Sequence, residues 1–255
     1  MKRIVVKVGS AVLTQNDSIA HERMKELVDF ISELKKTYEV ILVSSGAVAA
    51  GYTKVQLDKS IIQNKQALAA IGQPVLMHLY RKKFSTHNII ISQVLITSAN
   101  FDKDEDVKRI KNTIDTLISN GVIPIVNEND ATATDELELG DNDQLSAYIT
   151  KYTASDSLII LSDIDAFYDK DPRKFDDAKA LHVVNSIDKK DLEKEATPHG
   201  LFATGGILTK LKAANYLLKN NIDMFLSSGF DLNDIRNYML ADNYTGGTLF
   251  TKESK

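Results

Sequence analysis

The sequence predicts an α/β protein, a three-layer αβα sandwich built on a mainly parallel central sheet. Three observations carry this. Short apolar runs rich in β-branched residues alternate with segments of helical periodicity along nearly the whole chain, which is how crossover-connected parallel strands read. Those runs are near-continuously apolar rather than alternating, as expected of strands covered on both faces. Glycine-containing turns sit at the carboxyl ends of several of them, the edge where open α/β sheets collect ligands.

The elements follow in order. Arg3–Val8 (RIVVKV) opens the chain as a strand, and His21–Lys36 follows with helical spacing. Val40–Val43 (VILV) is wholly apolar and precedes the helix Ser60–Ser85. Ile89–Val94 (IIISQV) and Val122–Val126 (VIPIV) are strands that bracket the helix Lys103–Asn120. Next come the helix Gln144–Tyr152 and the strand Leu158–Leu161 (LIIL). Helix Thr204–Asn220 places Ile207, Leu211, Ala214, Leu217 and Leu218 on one stripe, with lysines elsewhere. Strand Asp223–Leu226, helix Asp231–Leu240 and strand Gly247–Phe250 complete the order. Ala131–Gly140 (ATATDELELG) alternates like a small projecting hairpin, and Asp169–Lys179 is a polar loop containing Pro172. With no repeat or linker, residues 1–255 read as one domain with two soft lobes, roughly 1–150 and 151–255.

Composition narrows the function. The 255 residues are 43% hydrophobic and 26% charged, ordinary for a globular chain, and the net charge of −4 offers no basic footprint for nucleic acid. Cysteine is absent, which removes disulfides, thiolate metal sites and cysteine nucleophiles and fits a reducing cytoplasm. Lys7 interrupts the apolar start before it could form a signal peptide, and no window approaches a membrane span.

Four segments hold candidate chemistry. In VVKVGS (5–10) Lys7 lies inside an apolar strand, so it either points into water from an edge strand or is buried against an anion. Gly9 and Ser10 then offer amides at a turn. In VSSGAVAAG (43–51) a strand passes through Ser44, Ser45 and Gly46 into small residues, which suits either anion binding at a helix start or close packing. The stretch NENDATATDELELGDND (127–143) gathers Glu128, Asp130, Asp135, Glu136, Glu138, Asp141 and Asp143 without one Lys, Arg or His. Asp141, Asn142 and Asp143 exceed what one helix cap needs, and the spacing is not that of an EF-hand. TGGILTK (204–210) opens a helix with Gly205 and Gly206 and carries Lys210, yet lacks the P-loop pattern. Dinucleotide and zinc-protease motifs are also missing. Two lysines, three glycine turns and a carboxylate cluster at one sheet edge suit phosphoryl transfer, whose catalysis is mostly positioning and charge neutralisation.

These residues resemble the amino-acid kinase family, in particular its members that phosphorylate glutamate. The matching segments are VVKVGSAVL (5–13), SSGAVAAG (44–51), NENDATAT (127–134), GDNDQLSA (140–147), YDKDPR (168–173), TGGILTK (204–210) and GGTLF (246–250), in the family's order. The resemblance implies ATP with Mg²⁺, the metal carried by the ATP phosphates rather than by a fixed protein site, and transfer of the γ-phosphate to the side-chain carboxylate of L-glutamate, the first step toward proline. It implies Lys7 and Lys210 as catalytic lysines oriented by Asp143, and Ser45, Gly46, Asp130 and Asn142 as substrate-binding, Asp130 facing the α-ammonium and Asn142 donating to a carboxylate. It implies nucleotide contacts at Lys7, Gly9, Ser162, Asp163, Thr204, Gly205, Gly206, Ile207, Leu208, Thr209 and Lys210. Feedback by L-proline, handover of the acyl phosphate to glutamate-5-phosphate reductase, a dimer or tetramer, and neither nucleic acid nor membrane as partner are further expectations. Many members carry an appended PUA domain, and this chain is expected to lack it. Ala166 stands where relatives usually have Gly, and Ser162 where Thr is common. The alternatives are a kinase of the same fold acting on another small acid such as N-acetylglutamate, and a non-catalytic amino-acid sensor.

Overall fold

The computed structural model describes residues 1–133, 142–172, 174–188, 192 and 206–253. Every strand and helix expected from the sequence is found among them, with ends shifted by a few residues. The strands are β1 (Lys2–Val8), β4 (Tyr38–Val43), β5 (Ile91–Ile96), β6 (Ile123–Glu128), β7 (Ser157–Ser162), β9 (Asp223–Ser228) and β10 (Thr248–Phe250). Three short strands were not foreseen: β2 (Thr14–Gln15) and β3 (Ser18–Ile19), which pair with each other, and β8 (Val183–Val184). The helices are α1 (Ser10–Leu13), α2 (His21–Leu34), α3 (Ala47–Tyr52), α4 (Ile62–Phe84), α5 (Asp104–Ser119), α6 (Asn142–Tyr152), α7 (Gly206–Lys219) and α8 (Asn233–Leu240). Of the hairpin expected at 131–140, residues 134–140 lie outside the described residues. Before them the chain turns, with the amides of Thr132 and Ala133 both donating to the Asn129 carbonyl at 3.0 Å.

One sheet of eight strands runs in the order β5-β6-β4-β1-β7-β9-β10-β8. It is parallel from β5 to β9, and only the β9–β10 pair is antiparallel. After β1 the chain builds β4, β5 and β6 on one side and then crosses to β7 and β9 on the other. The carboxyl end of β1 is therefore the topological switch point, the place where an open α/β sheet leaves a crevice.

Side-chain alternation along β1 explains the three layers. Ile4, Val6 and Val8 pack with Phe30, Leu34, Tyr80 and Phe84 of α2 and α4. Val5 faces the opposite way, into a second core with Ile114, Leu145, Leu211 and Leu217 from α5, α6 and α7. Lys7 is in phase with Val5, so period-two geometry sends it toward α6 and α7.

On the first face α3 and α4 touch backbone to backbone. A Cβ on Gly72 would lie 1.8 Å from the Ala47 carbonyl oxygen, and one on Gly51 would lie 2.0 Å from that of Leu68. Gly51 thus serves close helix–helix packing. Within α4, Pro74 cannot donate to the Ala70 carbonyl, which leaves that acceptor outside the helical ladder.

Candidate active site

Lys7 is not on an edge. Its strand lies between β4 and β7, where it is paired with Val43 and Ile160, and the lysine is only 5% exposed. The burial of an ammonium is tolerable only with a counter-charge, and Asp143 supplies it: Lys7 Nζ lies 2.6 Å from Asp143 Oδ1. Asp143 stands in the first turn of α6, where the helix dipole favours an anion.

Lys210 reaches the same carboxylate from α7, with Nζ 3.1 Å from Asp143 Oδ2. It also donates to the Gly206 carbonyl at 2.8 Å, folding back over the first turn of its helix. The Thr209 hydroxyl donates to Asp143 Oδ2 at 2.8 Å. Burial alone would raise the Asp143 carboxyl, but the two lysines and their hydrogen bonds outweigh it and hold the group down at about 2. Among these three buried charges the balance is one positive. Two cations held close together against one anion leave the pair suited to a further, phosphate-like anion.

The next residue, Asn142, is 3% exposed and ties α6 to the turn after β4. Its Nδ2 donates to the Ser44 carbonyl at 2.8 Å, Ser45 Oγ at 2.9 Å and Asn127 Oδ1 at 3.0 Å. The expectation that Asn142 donates to a substrate carboxylate is therefore corrected: its hydrogens are already taken, and the atom without a protein partner among the described residues is the acceptor Oδ1. Ser44 Oγ in turn meets the buried Tyr80 hydroxyl at 2.8 Å. Gly46 has φ +100°, a left-handed conformation that side chains resist, so the turn into α3 needs glycine there.

A cleft of about 170 Å³ opens between α4, β5 and the turn after β6, lined by Ala47, Ala70, Gln73, Pro74, Leu95, Glu128 and Asp130 among others. Asp130 makes no hydrogen bond or ion pair among the described residues, and burial pushes its carboxyl up to about 6. An acid in that state gains a partner when a cation enters.

On the other flank of β1, Ser162 ends β7. Its hydroxyl donates to Asp163 Oδ1 at 2.9 Å, and its carbonyl accepts from the Gly229 amide at 2.6 Å. Gly9 departs from expectation, because its amide donates to the Leu161 carbonyl at 2.9 Å and is not open to a phosphate. A Cβ there would stand 3.8 Å from Lys7 Nζ, so the glycine keeps space beside the ammonium. Gly206, Ile207, Leu208 and Thr209 form the first turn of α7, whereas Thr204, Gly205 and Asp141 lie outside the described residues. Ala166 is buried without a positive φ, so nothing in its backbone conformation calls for glycine. Gly247 has φ +86° and its Cβ would collide with Phe225, which makes the GGTLF segment a packing device.

Asn127, Ser44, Tyr80 and Gln73 were missed as contributors. Gln73 carried a readable signal, since it falls on the buried helical stripe Ala69, Gln73, Leu76 and Tyr80 as its one amide.

The sequence model of the amino acid kinase family matches residues 2–228. A glutamate 5-kinase of Wolinella succinogenes is 50% identical over 99% of this chain and 98% of its own length. One from Leishmania donovani is 50% identical over 98% of this chain and 95% of its own. Glutamate 5-kinase 2 of Bacillus subtilis, at 41% identity, is covered over 69% of its length. Among solved structures, an isopentenyl phosphate kinase superposes with TM-score 0.68 at 16% identity, over 98% of this chain and 100% of that one. Carbamate kinase of Giardia lamblia bound to AMP-PNP also gives 0.68 at 16% identity, over 99% of each chain. These structural likenesses speak for the fold.

Proposed function

The chain belongs to the amino acid kinase family, and from that premise we propose that it transfers the γ-phosphate of ATP to the side-chain carboxylate of L-glutamate, giving L-glutamate 5-phosphate. The observation that carries this reading is the pair of buried lysines, Lys7 and Lys210, on the two oxygens of Asp143. The choice of acceptor is supported by full-length relatives named glutamate 5-kinase.

The acceptor carboxylate has an ordinary pKa of about 4.3 and is already ionised at neutral pH, so no general base is required. Its oxygen forms the bond to the γ-phosphorus while the bond to the β,γ-bridging oxygen breaks, and that electron pair leaves on ADP. The obstacle is repulsion between two anions. Lys7 and Lys210 offset it from fixed positions, and Asp143 holds both ammonium groups without their having to reorganise. Mg²⁺ arriving with the ATP phosphates would supply further neutralisation of the phosphate charge, beside that of Lys7 and Lys210. Among the described residues no three of His, Asp or Glu converge to hold a metal.

On this reading Asp130 faces the α-ammonium, Ser45, Gly46 and Asn142 shape the acceptor side, and Ser162, Asp163 and residues 204–210 meet the nucleotide. The acceptor contacts fall in residues 1–150 and most of the nucleotide contacts in 151–255. L-Proline, an amino acid like the acceptor, would compete in the cleft beside Asp130, and a reductase would consume the labile acyl phosphate. A cytoplasmic homo-oligomer completes the reading.

The test is ATP-dependent acyl-phosphate formation, trapped with hydroxylamine in the presence of Mg²⁺, across L-glutamate, N-acetyl-L-glutamate and L-aspartate. Signal with glutamate alone is the expected result. Signal with the acetylated compound instead would overturn the acceptor assignment, since that compound has no ammonium for Asp130.

A further inference from the structure

Asn142 is held in a single orientation, and we propose that Gln73, midway along α4, is the positioning residue that braces it there through Asn127. This rests on the reading of Asn142 as an acceptor-site residue. Three buried amides, Asn142, Asn127 and Gln73, and the exposed Gln93 form a row from the site to the edge of the sheet. Asn142 Nδ2 donates to Asn127 Oδ1 at 3.0 Å, Asn127 Nδ2 to Gln73 Oε1 at 2.9 Å, and Gln73 Nε2 to Gln93 Oε1 at 3.1 Å.

Two backbone groups give the row its direction. The Glu128 amide can only donate, and it donates to Asn127 Oδ1 at 3.0 Å. The Ser44 carbonyl can only accept, and it takes Asn142 Nδ2 at 2.8 Å. Asn127 must therefore turn its Nδ2 away from Asn142, toward Gln73, and Gln73 must present Oε1 to receive it. Gln73 is 8% exposed, so water does not stand in for that oxygen.

The consequence appears at the head of the row. With its donor side taken, Asn142 is left with Oδ1 as a buried acceptor lacking a protein partner among the described residues. A substrate ammonium has three N–H groups to place, so Asn142 Oδ1 and Asp130 can both receive one. Gln73 lines the cleft, but its side-chain oxygen is turned to Asn127, and it acts by bracing Asn127 in the one flip state that keeps Asn142 an acceptor. If it merely filled the core, an apolar side chain of equal length would replace it without effect on substrate affinity.

Gln73→Met keeps the length and removes the oxygen, leaving Asn127 Nδ2 unpaired. The expected result is a rise in KM for L-glutamate on the order of 10-fold, the cost of one unmade buried hydrogen bond, with kcat and KM for ATP within about two-fold, well below that cost. Gln73→Glu retains an acceptor toward Asn127, and exposed Gln93 can turn its own amide to match, so this variant should recover most of the affinity. An unchanged glutamate KM in Gln73→Met, or equal impairment in Gln73→Glu, would overturn the proposal. Should Gln73→Met not fold, Gln73→Asn withdraws the same oxygen by one methylene, and the same outcomes apply.

A second readout does not depend on turnover. In protein labelled with ¹⁵N-asparagine, the side-chain amide protons of Asn142 and Asn127 should exchange slowly in the parent and faster in Gln73→Met. Equal exchange would count against the row. A parent that fails to phosphorylate glutamate, yet shows this difference, would defeat the proposed function and leave the role of Gln73 standing.

Discussion

Lys7 Nζ lies 2.6 Å from Asp143 Oδ1, although the two residues come from the first strand and from the helix that begins at the end of the acidic stretch. The contact explains how a lysine survives inside the central strand of a parallel sheet. It also makes Asp143 answerable for two cations, and this has consequences for stability as well as catalysis.

Asp143→Asn would leave two buried ammonium groups with no carboxylate between them. Removing one partner of a buried ion pair costs about 3–5 kcal/mol, and urea unfolding should show a loss of that order. The parent should also have an acid limb that this variant lacks. Because the carboxyl is held at about 2, below its ordinary 3.8, the stability it contributes is present above about 4 and lost as the pH falls through about 2. Unfolding midpoints measured across that window should fall in the parent and change less in Asp143→Asn.

Lys210→Ala should lower kcat by ~10²–10³, the range seen when one fixed electrostatic contact to the transition state is removed. Asp143 keeps Lys7 as its partner, so the circular dichroism spectrum should be unchanged. Undiminished turnover would remove Lys210 from the reaction.

Asp130 predicts the pH dependence of acceptor binding. Its carboxyl is pushed up to about 6 by burial, and only the ionised form pairs with an ammonium. KM for glutamate should therefore fall as the pH rises through about 6, and Asp130→Asn should flatten that dependence while binding glutamate weakly. For stability the sign is reversed: the fold favours the neutral acid, so ionisation costs stability between about 4 and 6. Asp130→Asn should accordingly melt higher than the parent at pH 8, with no such advantage at pH 4.

Two glycines separate packing from backbone strain. Gly72→Ala places a methyl 1.8 Å from a backbone oxygen of α3, so one helix must move, and the loss should reach or exceed the ~3 kcal/mol typical of overpacking. Gly121→Ala has open space around it and only φ +74° to overcome, so about 1–2 kcal/mol is expected. Urea midpoints for the pair give the comparison.

The layered fold was legible because each strand of the parallel sheet is covered on both faces, and unbroken runs such as VILV at 40–43 leave little choice of element. The short pieces were not legible. Strand β8 is two residues held by pairing with β10, and α1 is a single turn after Gly9, so neither has a period to detect. In the site, Lys7, Asp143 and Lys210 could be named, since a charge in an apolar strand and a lysine near a glycine-opened helix are local signals. The hydrogen-bond direction of Asn142 was not, because it is set by the Ser44 carbonyl and by Asn127, both remote in sequence. Gly9 misled for a similar reason: its amide is claimed by Leu161 from the neighbouring strand, a pairing that no local pattern shows.

The backbone contact between α3 and α4 bears on efforts to redirect the acceptor. Where two helices meet with no room for a methyl, neither side can be enlarged alone, and the Gly46 turn and the Gln73 arm are carried on one inflexible body. Libraries that randomise this seam would mostly sample unfolded chains. The opposite wall of the cleft offers the latitude that the seam denies: Leu95 lies on the edge strand β5, open to solvent, and substitutions there can reshape the volume without disturbing the helices beneath.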